Sequence, residues 1–245
     1  MRSFRYFDIV MVAFVAVLLI SNIASNKFVS VGPFQYDGGT VLFPLSYIFG
    51  DILTEVYGYR RSRRVIWMGF GAAALMAIVL WIVTLLSIPP DFGPQPQSDA
   101  FNVALQSTPF IVLGSLIAFW AGEFSNSFVL AKMKIFTKGK MLWTRTIGST
   151  IVGEGIDTIL FASIAFALGG VLLGSPMEGN VFWTLVISNY IFKVGLEVVL
   201  TPVTYVVVNF LKNREHEDYY DIGTDFNPFN LSTAEPSNTA NAGAQ

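Results

Sequence analysis

Seven ionisable side chains lie within stretches that are otherwise apolar: Asp51, Glu55, Glu123, Glu154, Asp157, Lys193 and Glu197. Asp51/Glu55, Glu154/Asp157 and Lys193/Glu197 are spaced three or four residues apart, so each pair occupies one face of a helix. A charge at the centre of a bilayer costs at least ~2.5–3.5 kcal/mol, and seven facing lipid would cost roughly 20 kcal/mol. They must face one another or a polar cavity. Six carboxylates face a single lysine in this set. Lys193 can neutralise one, most simply Glu197 on its own helix, and Arg145 can reach another. The rest must be protonated, hydrogen-bonded to neutral donors, or kept for a donor-rich or cationic ligand.

The elements that carry these residues are membrane spans. The chain has 245 residues, 53% of them hydrophobic and 13% charged, with a mean hydropathy of +0.57. Soluble domains carry about 25% charged residues. Six apolar stretches of bilayer-spanning length can be counted, near 8–26, 41–59, 65–87, 109–131, 146–171 and 181–211. The first is read as a retained helix, because Ser21, Asn22, Ser25, Asn26 and Lys27 follow it and no small-residue cleavage site does. Of the fifteen Lys and Arg residues, thirteen fall at the N-terminus, between spans 2 and 3, between spans 4 and 5, or after span 6. The exceptions are Lys27 and Lys193. The positive-inside rule then places both termini in the cytoplasm. The fold class expected is an all-α membrane protein of six transmembrane helices, with a transporter domain over 1–212 and a disordered cytoplasmic tail over 213–245.

Residues 28–40 alternate and end in Asp-Gly-Gly, which predicts a short hairpin outside the membrane. Residues 88–97 read as irregular, and 98–108 as a short helix capped by Ser98. Pro44 and Gly50 interrupt span 2, while Gly153 and Gly155 flank Glu154. Short or Gly/Pro-broken spans point to binding sites in transporters. Cysteine is absent and the one histidine, His216, lies in the tail. That removes thiol chemistry and most histidine chemistry, and no metal site or cofactor is expected.

Polar and aromatic residues surround the charges: Asn126 beside Glu123, Thr158 beside Asp157, and Tyr47, Trp120, Phe124, Phe161 and Tyr190 nearby. Carboxylates accept from ring N–H and amino groups, an amide or lysine donates to a carbonyl, and an aromatic face stacks. Such a set suits a planar heterocycle. A membrane-embedded enzyme could be built on Asp51 and Asp157, but the usual motif around each aspartate is missing. A channel or purely structural protein is the third class, and saturable, selective uptake would argue against it.

Four blocks carry a family likeness: SYIFGDILTEVYGYRRSRRVIW (46–67), GEFSNSFVLAKMKIFTKGKMLWTRTIGST (122–150), GEGIDTILF (153–161) and KVGLEVVLTPVTY (193–205). With these, the chain resembles the queuosine precursor transporters, also described as a vitamin uptake transporter family. The resemblance implies a multi-pass protein of the bacterial inner membrane that is not an enzyme. It would import 7-cyano-7-deazaguanine or its aminomethyl relative, with queuine a further candidate, or else another planar heterocycle such as a vitamin or purine. Its core is similar to the substrate-binding subunits of energy-coupling-factor importers, although span 1 lacks a clear A-x-x-x-A motif. The energising partner is unassigned, a homodimer stays open, and no nucleic-acid partner is expected. On this reading Asp157 and Glu154, with Glu123 near them, take the donor edge of the deazaguanine. Asn126 or Lys193 takes its carbonyl, and Trp120, Phe124 or Tyr190 lines the ring. Asp51, Glu55, Glu197 and Arg145 couple protons or hold helices.

Overall fold

A computed structural model describes residues 4–24, 27–31, 34–87, 95–105, 109–172 and 178–230. Helix α1 (Phe7–Ala24) leads into β1 (Phe28–Val31) and β2 (Phe34–Asp37). These strands pair antiparallel with Phe28 opposite Asp37 and Val31 opposite Phe34. A 3-10 turn, Gly38–Val41, precedes α2 (Phe43–Tyr57). Then follow α3 (Tyr59–Thr84), α4 (Pro96–Leu105), α5 (Pro109–Phe136), α6 (Leu142–Ala162), a π-helical turn over Ser163–Leu168, α7 (Gly169–Leu172) and α8 (Gly179–Glu215).

The helices are arranged with their polar side inward. Leu75 on α3, Ile191, Val199 and Val206 on α8, and Ile9 and Val12 on α1 are more than 60% exposed. The buried residues include Ser, Thr, Asp, Glu, Arg and Lys. In water this distribution would be unstable; in lipid it is what the solvent requires. Helices α1, α3, α8 and α6 as extended to Ala165 are long and apolar enough to cross a membrane. Helix α2 has 15 residues, or about 22 Å at 1.5 Å each, against a hydrocarbon core of about 30 Å.

The shortness of α2 has local causes. Pro44 stands in its first turn, where a missing N–H costs nothing; it begins the helix and does not interrupt it, as the sequence had implied. At the other end Gly58 has φ +86°, and its N–H closes on Thr54 O at 3.0 Å. This left-handed elbow lets α3 start at once. Helix α4 starts at Pro96, so Ser98 lies inside it and is not its cap.

The expectation of a disordered tail from 213 is corrected for 213–230. Helix α8 runs to Glu215, and the chain then folds back over the ends of α2, α3 and α5. Tyr59 N–H donates to both carboxylate oxygens of Asp221 at 3.2 and 3.0 Å. Arg63 donates to the carbonyls of Asp225 and Asn227, and Trp67 Nε1 to that of Pro228. The Tyr219 ring fills the space where a side chain on Gly58 would stand. The acidic, low-apolar composition gave no hint of this, because the partners are backbone groups and aromatic rings of other elements. The remainder of the expected tail, 231–245, and the irregular loop at 88–94 lie outside the described residues.

Candidate functional site

Two buried carboxylate regions sit on neighbouring turns of α2 and differ in one respect: in one a single glutamate meets three cations, and in the other several carboxylates share one lysine. Glu55 is that glutamate. Arg145 of α6 donates through Nε to Oε2 at 2.7 Å and through Nη2 to Oε1 at 2.6 Å. Lys212 of α8 donates to Oε1 at 2.5 Å. Lys134 of α5 stands 3.5 Å from the same oxygen and donates to the Glu55 carbonyl, Asp218 Oδ1 and the Tyr219 carbonyl at 2.6, 2.6 and 2.8 Å. All three ammonium hydrogens of Lys134 are thereby used. Burial pushes the Asp218 carboxyl up, but hydrogen bonds and charge from Lys134 and Lys212 outweigh it and hold it below the usual range. Burial pushes Asp221 up and prevails over the Tyr59 N–H that lowers it. This ionic knot ties α2, α5, α6, α8 and the folded-back tail together.

Arg145 therefore reaches a carboxylate as the spacing suggested, and that carboxylate is Glu55. Lys134 and Lys212 were read only as markers of orientation. A signal for Lys134 existed: Glu123, Ser127, Leu130 and Lys134 recur at helical spacing, and all are buried on one face of α5.

One turn earlier the balance changes. Lys193 does not pair with Glu197, its neighbour on α8. It crosses to α6, 2.7 Å from Asp157 Oδ2 and 3.0 Å from Glu154 Oε2. Two carboxylates on one α6 face hold a desolvated ammonium better than a single one on its own helix. Asn126 Nδ2 donates to Asp51 Oδ1 at 2.7 Å. Among the described residues, Asp51 Oδ2, Asn126 Oδ1, the Tyr47 hydroxyl and both oxygens of Glu123 and of Glu197 are buried without a hydrogen-bond partner. Buried polar atoms of native proteins are paired in about 90% of cases. The Trp120 Nε1 donor and the Thr150 and Thr158 hydroxyls are likewise buried and unpaired, but acceptors predominate, and a set weighted to acceptors is complementary to a ligand rich in donors.

Small residues bring this cluster together. A side chain on Gly50 would occupy the position of Glu123 Oε1, so only glycine there lets the Glu123 carboxylate lie against α2. Helices α5 and α6 meet backbone to backbone at Gly122 and Gly153. A Cβ on either would lie 3.0 Å from the carbonyl oxygen of the other, and 2.8 Å from Asp157 Cβ or 2.7 Å from Asn126 Cβ respectively. The Tyr47 ring enters this contact, its hydroxyl against Gly122 and its ring edge 2.9 Å from the Cβ position of Gly153. Tyr47 was noted in the sequence only as a nearby aromatic; its place one turn before Asp51 on α2 was the available signal.

The expected ring-lining residues have protein partners. Trp120 and Phe124 are 5.3 Å apart and meet Trp67 at 6.0 and 6.1 Å. Phe229 of the folded-back chain lies 5.6 Å from Trp120. Trp67 and Tyr59 are covered by this segment as well. The Tyr190 hydroxyl donates to the Ile151 carbonyl at 3.1 Å. The structure thus brings together Asp51, Glu123, Asn126, Glu154, Asp157, Lys193 and Glu197, and places Trp120, Phe124 and Tyr190 in packing roles around them.

The chain is 29% identical over 182 residues to a Bacillus subtilis protein named "probable queuosine precursor transporter", covering 72% of this chain and 73% of the relative. It is 23% identical over 192 residues to a Haemophilus influenzae protein of the same name, covering 78% and 74%. No solved structure matches. Residues 37–207, from the last residue of β2 into α8, match the family described as "putative vitamin uptake transporter". The chain belongs to that transporter family.

Proposed function

We propose that this protein imports queuosine precursors, the 7-deazaguanines with cyano or aminomethyl substituents, across the bacterial inner membrane. The observation that carries the reading is the set of buried, unpartnered acceptors at Glu123, Asn126 and Asp51 beside the Lys193–Asp157–Glu154 pair. A deazaguanine offers an amino group and ring N–H donors on one edge with a carbonyl beside them. Carboxylates are the natural acceptors for such donors, and Lys193 is the natural donor to the carbonyl. The names of the two relatives support the same substrate class.

In this reading Asp157, Glu154 and Glu123 take the donor edge, and Asn126 and Lys193 address the carbonyl. Trp120, Phe124 and Tyr190 shape the walls from behind. The termini face the cytoplasm, as the Lys and Arg distribution requires, and six spans cross the membrane with α2 as the short one. The test is uptake in a bacterium that can neither make nor import these precursors, fed 7-cyano-7-deazaguanine at limiting concentration. Queuosine should return to tRNA with the wild-type chain and not with Asp157→Asn. Return with both would remove Asp157 from the site. Return with neither, with protein in the membrane, would favour the second reading, another planar heterocycle, for which the family description gives support.

A further inference from the structure

Of the six carboxylates buried within the helices, three have no cation in ion-pair distance among the described residues: Asp51, Glu123 and Glu197. We infer that Asp51 and Glu197 hold an exchangeable proton between α2 and α8, and that this proton enters together with the substrate. The inference rests on the substrate reading above and adds its driving force.

The two acids lie on helices that pack against each other. Both are fully buried, with Asp51 Oδ2 and both Glu197 oxygens lacking a hydrogen-bond partner among the described residues. A carboxylate so buried, with no cation beside it, is neutral by taking up a proton. The groups that face them are Tyr47 and Glu55 on α2, Glu123 on α5, Glu154 and Asp157 on α6, and Lys193 on α8 itself. Beyond Asp8, α1 has no titratable residue, and α3 has none beyond Arg64. Every nearby cation is committed elsewhere: Lys193 to Asp157 and Glu154, and Arg145, Lys134 and Lys212 to Glu55.

Two neutral groups point independently to a mobile proton. The amide of Asn126 donates to Asp51 Oδ1, while its Oδ1 is buried and lacks a donor. The Tyr47 hydroxyl, one turn before Asp51, is also buried and unpartnered. A hydroxyl and an amide that can each pass or receive a hydrogen bond extend the acid pair towards Asp157, whose Cβ stands beside the Tyr47 hydroxyl at Gly122.

Coupling follows from the position of Lys193. Protonated Glu197 has no claim on it, so Lys193 rests on Asp157 and Glu154, the arrangement observed. The ammonium then holds both carboxylates in place as acceptors for a donor edge. Ionised Glu197, four residues from Lys193 on the same helix, competes for the ammonium and dismantles that arrangement. Proton and substrate therefore favour each other, and reciprocity makes each raise the affinity for the other. The proton leaves as it arrived, from a neutral carboxyl that becomes a carboxylate on the far side.

The test uses the full chain in liposomes with labelled 7-cyano-7-deazaguanine. A tenfold proton gradient, alkaline inside, should drive roughly tenfold accumulation at one proton per substrate. A protonophore should abolish it, and substrate addition should alkalinise the outer medium. Glu197→Gln mimics the protonated acid. It should lose accumulation driven by the proton gradient, and any exchange of labelled for unlabelled substrate that it retains should no longer respond to pH. Accumulation by wild type that ignores the proton gradient, or that follows a sodium gradient instead, overturns the inference, as does accumulation by Glu197→Gln. If that variant fails to fold, the wild-type pH signal decides alone: substrate entry without alkalinisation overturns the coupling and leaves the substrate reading intact. Absence of any exchange by wild type overturns the substrate reading and the coupling with it.

Discussion

Glu55 and Glu197 are both wholly buried glutamates close to the same helix contacts, and they are opposites. Glu55 is gripped by Arg145, Lys212 and Lys134. Glu197 has no hydrogen-bond partner on either oxygen among the described residues. The difference teaches which carboxylates hold the fold and which are held ready. A buried ion pair with every hydrogen bond satisfied is fixed, and loss of one member leaves stranded charge. An unpartnered buried acid adds nothing to stability and persists for another reason.

The largest effect that breaks this comparison is Glu55→Gln, which removes the only carboxylate partner of Arg145 among the described residues and leaves Lys134 and Lys212 to Asp218 alone. A destabilisation of about 3–5 kcal/mol is expected, read as loss of monodisperse protein in detergent. Glu197→Gln, equally buried, should change the melting temperature little or raise it; equal damage from the two would erase the distinction. Next comes Arg63→Met, which removes two hydrogen bonds to the folded-back chain. About 1.5–3 kcal/mol of docking is expected to go, seen as faster protease cleavage between 216 and 230. Gly50→Ala should cost about 1–3 kcal/mol by overpacking against Glu123 and should weaken transport more than its loss of stability explains.

The smallest effect is in pH. Asp218, held below its ordinary value of about 3.9, contributes docking that is complete above that value and lost as pH falls through its lowered one. Asp221 is raised, so its contribution is complete below about 3.9 and lost as pH rises through the raised value. Protection of residues 216–230 should thus slacken slightly as pH climbs out of the acid range. Asp221→Asn, which can still accept from Tyr59 N–H, should flatten that slope; an unchanged slope would mean that Asp221 is not its source.

The helices were legible because apolar run length and cation placement are local properties of the sequence. The buried charges were legible for the same reason, since seven ionisable residues stand out against their apolar neighbours. Pairings were not. Lys193 and Glu197 have the spacing of a pair, yet Lys193 crosses to α6, because a choice between partners depends on what the packed helices bring near. The folded-back chain was invisible for a related reason. Its anchors are carbonyls of Asp225, Asn227 and Pro228, which every residue possesses and no composition reveals. Gly50 and Gly153 were visible as interruptions, but what they and Gly122 make room for required the neighbouring helix.

The central claim, that the unpartnered carboxylate region recognises a donor-rich heterocycle while the Glu55 knot only holds the fold, is most directly tested by equilibrium binding. Purified wild-type protein, Asp157→Asn and Asp218→Asn would be titrated with 7-cyano-7-deazaguanine in detergent. Loss of one charge-assisted hydrogen bond should weaken binding to Asp157→Asn by roughly 10- to 100-fold, with Asp218→Asn matching wild type. Equal affinity for all three proteins, each shown to be folded, would contradict the claim.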